Sequence, residues 1–93
     1  MKHPSEMTNE ELDEVVFAEL SMPDPESFPY SADIYFAWKV MDWLRDLDCD
    51  VALESCGAQW RLNSNLVQVT ALTAPRAICE AAVLVARAKK ERR

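Results

Sequence analysis

The stretch CDVALESCGAQWRLNSNLVQVTAL, residues 49–72, decides the fold. Its apolar residues recur at every second position, the period of a strand with one buried face. In a first strand, Cys49 to Cys56, the residues Cys49, Val51, Leu53 and Ser55 fall on one side, with Asp50, Ala52 and Glu54 on the other. A second strand, about Ala58 to Asn63, points Trp60 and Leu62 inward against Gln59 and Arg61. A third, Leu66 to Leu72, does the same with Val67, Val69 and Ala71 against Gln68 and Thr70. Gly57, and then Asn63-Ser64-Asn65, supply the turn chemistry of hairpins. The pattern predicts a three-stranded antiparallel meander with one apolar and one largely polar face.

Helix signals lie on both sides of the meander. Ser31 is placed to cap a helix with Asp33 in its first turn, running to about Leu47. At 100° per residue its apolar residues, Ile34, Phe36, Ala37, Trp38, Val40, Met41, Trp43, Leu44 and Leu47, cover an arc of roughly 220°, where one buried stripe needs little more than 100°. The flank Phe36, Trp43 and Leu47 is therefore the expected surplus, to be covered by the N-terminal helix, a second subunit or a partner. After the strands, Thr73 caps a last helix with Pro75 in its first turn, continuing to about Lys90. Ile78, Ala81, Ala82, Val85 and Ala86 give it a small-residue face for close approach to the sheet. Ahead of all this, Thr8 with Glu11 forms a capping box for a helix from Asn9 to about Leu20. Leu12, Val15, Val16 and Leu20 share one of its faces and Phe17 lies off it. Pro23, Pro25 and Pro29 then exclude helix from the segment that follows.

The expected fold class is α+β in the order α-α-β-β-β-α, the meander packed against two helices with an acidic N-terminal helix in front. The expected division is residues 1–28, acidic helix and Pro-rich linker, and residues 29–93, a compact α/β sandwich. The size, 93 residues with 49% hydrophobic content, suits one small globular domain. The first six residues lack the apolar segment of a secretory signal and no run approaches a membrane span, so host-cell cytoplasm is the expected location and no membrane partner is expected.

Net charge is −6, but residues 1–54 carry −11 and residues 55–93 carry +5. Such polarity suits internal neutralisation, head-to-tail self-association, a homodimer being the expected homo-oligomer, or an acidic face for a basic partner. Arg87, Lys89, Lys90, Arg92 and Arg93 gather where they complement the last helix dipole. The three cysteines, Cys49, Cys56 and Cys79, have the settings of buried apolar residues and lack the paired spacing of a zinc or redox site. The one histidine, His3, sits in the N-terminal tail, which takes the usual base away from any nucleophile in the core. Acid pairs such as Asp42 and Asp46, or Asp46 and Asp48, read as solvated helix flank. With Gly57 alone there is no glycine-rich phosphate loop. No catalytic residue, metal ligand or cofactor is expected.

The combination Pro29, Tyr30, Ser31, Asp33, Ile34, Ala37, Trp38, Val40 and Leu44, then a hairpin bearing Trp60, then Thr-Ala-Pro-x-Ala-Ile-Cys-x-Ala-Ala over Thr73 to Ala82, resembles the phage ABA-sandwich domain family. The resemblance spans about residues 29–88, with the acidic helix before Pro23 outside it. It implies an α/β sandwich from phage or prophage genomes and no established activity. Helix, three strands, helix is also the order of double-stranded-RNA-binding domains. Those bring a basic start to the last helix, where this chain has only Arg76, so nucleic acid is not an expected partner.

The expectation for function is a non-catalytic phage- or prophage-derived protein that binds a host protein, with inhibition of a host defence component as its effect. Phe36, Trp43, Leu47, Asp42 and Asp46 are the expected contacts. The alternative is a binder that sequesters a small anionic nucleotide, using the helix N-termini at Ser31 and Thr73 with Tyr30 and Arg76 beside them.

Overall fold

The structure, a computed structural model, describes residues 3–20, 30–31, 33–46 and 51–91, with side chains through Lys89. Leu47, Cys49, Arg92, Arg93 and the linker prolines Pro23, Pro25 and Pro29 lie outside the described residues. A short 3-10 turn, Pro4–Glu6, leads into α1 (Asn9–Leu20) and α2 (Ile34–Asp46). Then come β1 (Ala52–Cys56), β2 (Gln59–Asn63), β3 (Gln68–Ala71) and α3 (Ala74–Glu91). The fold is α+β, with helices and strands in the order α-α-β-β-β-α.

The capping box at the start of α1 forms as its residue types dictate. The Thr8 N–H donates to Glu11 Oε1 at 3.0 Å and the Glu11 N–H to Thr8 Oγ1 at 3.1 Å. Leu12, Val16 and Leu20, four apart, are buried, while Val15 and Phe17 are half-buried against the same core. Helix α2 begins differently from its sequence signal. Its cap is Asp33, whose Oδ1 accepts from the Tyr35 N–H at 2.8 Å, and Ser31 is not a cap. Ser31 instead ties the segment before α2 to α1: its N–H donates to Asp13 Oδ1 at 2.8 Å and its Oγ to the Asn9 carbonyl at 3.2 Å. Asp and Ser compete for a cap on similar terms. Here a partner eighteen residues upstream in α1 holds the serine and leaves the cap to the aspartate.

The sheet order is β1-β2-β3, antiparallel throughout. Register places Leu53 opposite Leu62 and Leu62 opposite Val69; one step along, Ser55 faces Trp60 and Trp60 faces Ala71. Facing residues point to the same side, so both rows belong to the inner face, as the alternation predicts. Gly57, at φ 65°, takes the left-handed position of the two-residue turn between β1 and β2. The Ser64 hydroxyl closes the next turn, accepting from the N–H groups of Leu66 and Val67. On the outer face Glu54 and Arg61, directly opposite, form an ion pair at 3.3 Å.

Helix α3 is the centre of the molecule: α1, α2, β2 and β3 all lie against it. Every residue from Ala77 to Val83 is buried, more than the single sheet-facing stripe the sequence suggests. A helix surrounded on several sides must be small or apolar all round, and the alanines at 77, 81 and 82 allow its neighbours to come close. Cys79 is fully buried in this shell, and burial, followed by the nearby Asp13 and Glu80 carboxylates, pushes its thiol pKa well up. Cys56, read from sequence as a core position, is half-buried on the opposite parity of β1 from Leu53 and Ser55, facing away from α3.

Candidate functional site

The inner face of the sheet is sealed at one row and open at the next. Leu62 is fully buried and Val69 nearly so, whereas Trp60, two residues from Leu62, is 36% exposed. Its cross-strand neighbours, Ser55 and Ala71, are too small to cover an indole. The first turn of α3 opposite offers only Ala74 and Pro75. The start of α2 closes the far side with Ile34 and Trp38. Between them lies a groove of about 500 Å³, lined by Ile34, Trp38, Leu53, Trp60, Leu72 and the Thr73–Pro75 turn. Among the described residues, its walls hold no charged side chain. Ile34 is 43%, Trp38 46% and Leu72 73% exposed, so the lining is an apolar surface that water reaches.

Two helix N-termini meet at this groove, and several of their donors are engaged within the chain. The Tyr35 N–H is bound by the Asp33 cap, the Arg76 N–H reaches Thr73 Oγ1 at 3.3 Å, the Ala77 N–H reaches the Thr73 carbonyl, and Pro75 brings no N–H. The site is built to take apolar groups.

Next to Pro75, on the other side of the same turn, Arg76 makes a closed polar knot. Its Nε donates to Glu80 Oε2 at 2.8 Å, and one terminal nitrogen donates to Asn9 Oδ1 at 2.8 Å. The other donates to the carbonyls of Pro4, at 3.0 Å, and Met7. Both partners of the ion pair are largely buried, their side chains 16% and 5% exposed. An arginine in the first turn opposes the helix dipole, and Arg before Glu at i,i+4 is the weaker orientation. The geometry explains the placement: the guanidinium gives the Met7 carbonyl a donor and adds a second to the Pro4 carbonyl, which already accepts from the Met7 N–H at 3.2 Å. The N-terminal segment, read from sequence as a tail, is thereby fastened to α3. His3 belongs to it, its Nδ1 accepting from the Ser5 N–H at 3.1 Å.

The residues expected to bind a partner are divided. Asp42 and Asp46 are exposed on α2, while Phe36 and Trp43 are half-buried and packed against the core. The open flank of α2 is the opposite one, Ile34 and Trp38. The set expected for an anion does not assemble as a site. Tyr30 is fully buried, Ser31 is tied to α1, Arg76 is engaged as above, and Thr73 is a cap. What the sequence reading missed, the groove, had a signal in Trp60: a bulky residue whose strand neighbours at the same depth, Ser55 and Ala71, are small. Among the described residues, no group of three or more His, Cys, Asp or Glu is placed to hold a metal ion, and no helix is long and apolar enough to cross a membrane.

Comparison with known proteins adds one finding. No curated protein and no solved structure matches this chain. A family model, the Phage ABA sandwich domain, matches residues 8–83, from the Thr8 cap through α1 and on to Val83 in α3. The match takes in α1, which the resemblance read from residues 29–88 had left outside. Spanning most of the sequence, it establishes that the chain belongs to the phage ABA sandwich domain family.

Proposed function

We propose that this phage protein acts without catalysis, by binding a host protein in the host cytoplasm and blocking it, inhibition of a defence component being the effect. The observation that carries the reading is the open apolar groove with two half-exposed tryptophans, Trp38 and Trp60, in its walls. Tryptophan in a partly desolvated pocket is the side chain most often found at the energetic centre of protein interfaces. The groove offers apolar area and few free donors, a chemistry suited to an aliphatic or aromatic side chain of another polypeptide. Asp42 and Asp46, exposed further along α2, add a negative rim that favours approach of a basic partner. Cys79 is buried with its thiol pKa raised, which disfavours a thiolate nucleophile there, in keeping with a binding role.

The test is co-purification from host lysate. Wild-type protein is expected to retain a stoichiometric partner that Trp38→Ser loses, with the circular dichroism spectrum unchanged. Retention of the same partner by Trp38→Ser and Leu72→Asp alike would remove the groove from the interaction.

A further inference from the structure

Resting on the reading of the groove as a protein-docking face, we infer that in the free protein it is closed by a second copy of this chain. Leu72 of each copy seats between Trp38 and Trp60 of the other. A two-fold contact requires one patch to hold both the protruding and the receiving group. This patch does: Leu72, at 73% the most exposed of the large apolar side chains described, stands on the rim of a groove walled by Trp38 and Trp60.

The area is sufficient. From the exposures of Ile34, Trp38, Trp60 and Leu72, these side chains hold on the order of 450 Å² of accessible surface per copy. A stable interface of standard size takes about 800 Å² per partner, of which about 56–65% is apolar. The four side chains thus supply roughly the apolar share of one half-interface. Charge opposes the contact only at its edge. Each copy carries −6 and Asp42 and Asp46 stand exposed further along α2, but among the described residues no charged side chain lines the groove itself, so the like charges stay at the rim. Of the bases of α3, Arg76 is paired with Glu80 on the other side of the turn, and Arg87 is twelve residues from Pro75, about 18 Å along the helix and beyond the screening length at physiological salt.

Light scattering across a concentration series, at low and high salt, tests this. The expected result is a mass rising with concentration from 10.6 kDa toward twice that value. Leu72→Asp and Trp38→Ser should each move the dissociation midpoint to at least tenfold higher concentration. High salt should leave the dimer intact or tighten it, because screening weakens the repulsion between two acidic copies. A monomer at every concentration overturns the inference and leaves the groove free for a foreign partner, so the proposed function would stand. A dimer indifferent to both substitutions, or one that dissociates with salt, overturns it by placing the interface elsewhere. The proposed function fails separately, through a host partner that Trp38→Ser does not release.

Discussion

Pro75 and Arg76 are neighbours in the first turn of α3, and their surroundings are opposite. Arg76 turns into a knot where its donors meet Glu80, Asn9 and carbonyls of the N-terminal segment. Pro75 turns into a groove whose apolar walls no described part of the chain covers. The polar side is complete within one molecule and the apolar side is not. A buried charge left unpaired costs several kcal/mol, so a chain must satisfy it internally. A half-exposed indole costs far less and can wait for a partner. The two sides of one helix turn therefore separate what holds the fold from what is available for binding.

Breaking the closed side should give the largest effect. Arg76→Met removes the donors and leaves Glu80 buried without its partner, which predicts a loss of about 3–5 kcal/mol in urea unfolding. The double variant Arg76→Met with Glu80→Leu should recover part of that loss, because the uncompensated carboxylate goes with it. A double variant no more stable than Arg76→Met alone would mean that the carbonyls of Pro4 and Met7, rather than the ion pair, set the cost.

A second substitution sharpens the contrast between the two rows of the sheet. Leu62 is fully buried in the row beneath α3. Leu62→Ala should leave a cavity and cost about 3 kcal/mol, read as a fall of roughly 12–24 °C in Tm for a domain of this size. A cost below about 1 kcal/mol would show that α3 and the sheet close over the gap and that the sealed row is less rigid than the burial implies.

The contrast also marks how far the sequence could be read. Alternation over residues 49–72 identifies the inner face correctly, since period two assigns Leu62 and Trp60 to the same side whatever lies above them. It does not say which row α3 covers, because that depends on where three helices converge in space. Helix α2 shows the same limit. Its broad apolar arc indicates a surplus, yet both flanks qualify by hydrophobicity, and only the packing shows Phe36 and Trp43 against the core and Ile34 and Trp38 in the open. The motifs Ser31-to-Trp38 and Thr73-to-Ala82 stand out in sequence as helix starts; in space both border the groove. Arg76 is the residue whose role was least legible. Its partners Pro4, Met7 and Asn9 lie about seventy residues away and two of them are backbone carbonyls, for which no residue type is a signal.

Between these effects lies a pH dependence. The Cys79 thiol has its pKa raised by burial first, then by Asp13 and Glu80. Below about pH 8.5 the thiol is protonated in both folded and unfolded chains, and its contribution is fully present. Above that, the unfolded chain releases the proton and the folded one holds it, so stability falls as pH rises toward the folded pKa, by up to about 1.4 kcal/mol per pH unit. Stability measured from pH 7 to pH 10 should decline in the wild type and decline less in Cys79→Ala. Parallel curves would show that Cys79 is not the group responsible.

The smallest effect on stability is expected at the rim of the open side, and it is the most informative about function. Leu72 is exposed to solvent, where Leu62, ten residues earlier, is sealed. Leu72→Ser should change unfolding free energy by less than about 0.5 kcal/mol, the range of an ordinary surface substitution. Measured at low concentration, where any dimer is dissociated, that null result is the expected one. At high concentration the wild type should gain apparent stability through association while Leu72→Ser does not, because a partner that binds only the folded state shifts unfolding by mass action. If Leu72→Ser instead destabilises the dilute monomer by 2 kcal/mol or more, Leu72 is a core residue of its own chain, and the open side of α3 is closed after all.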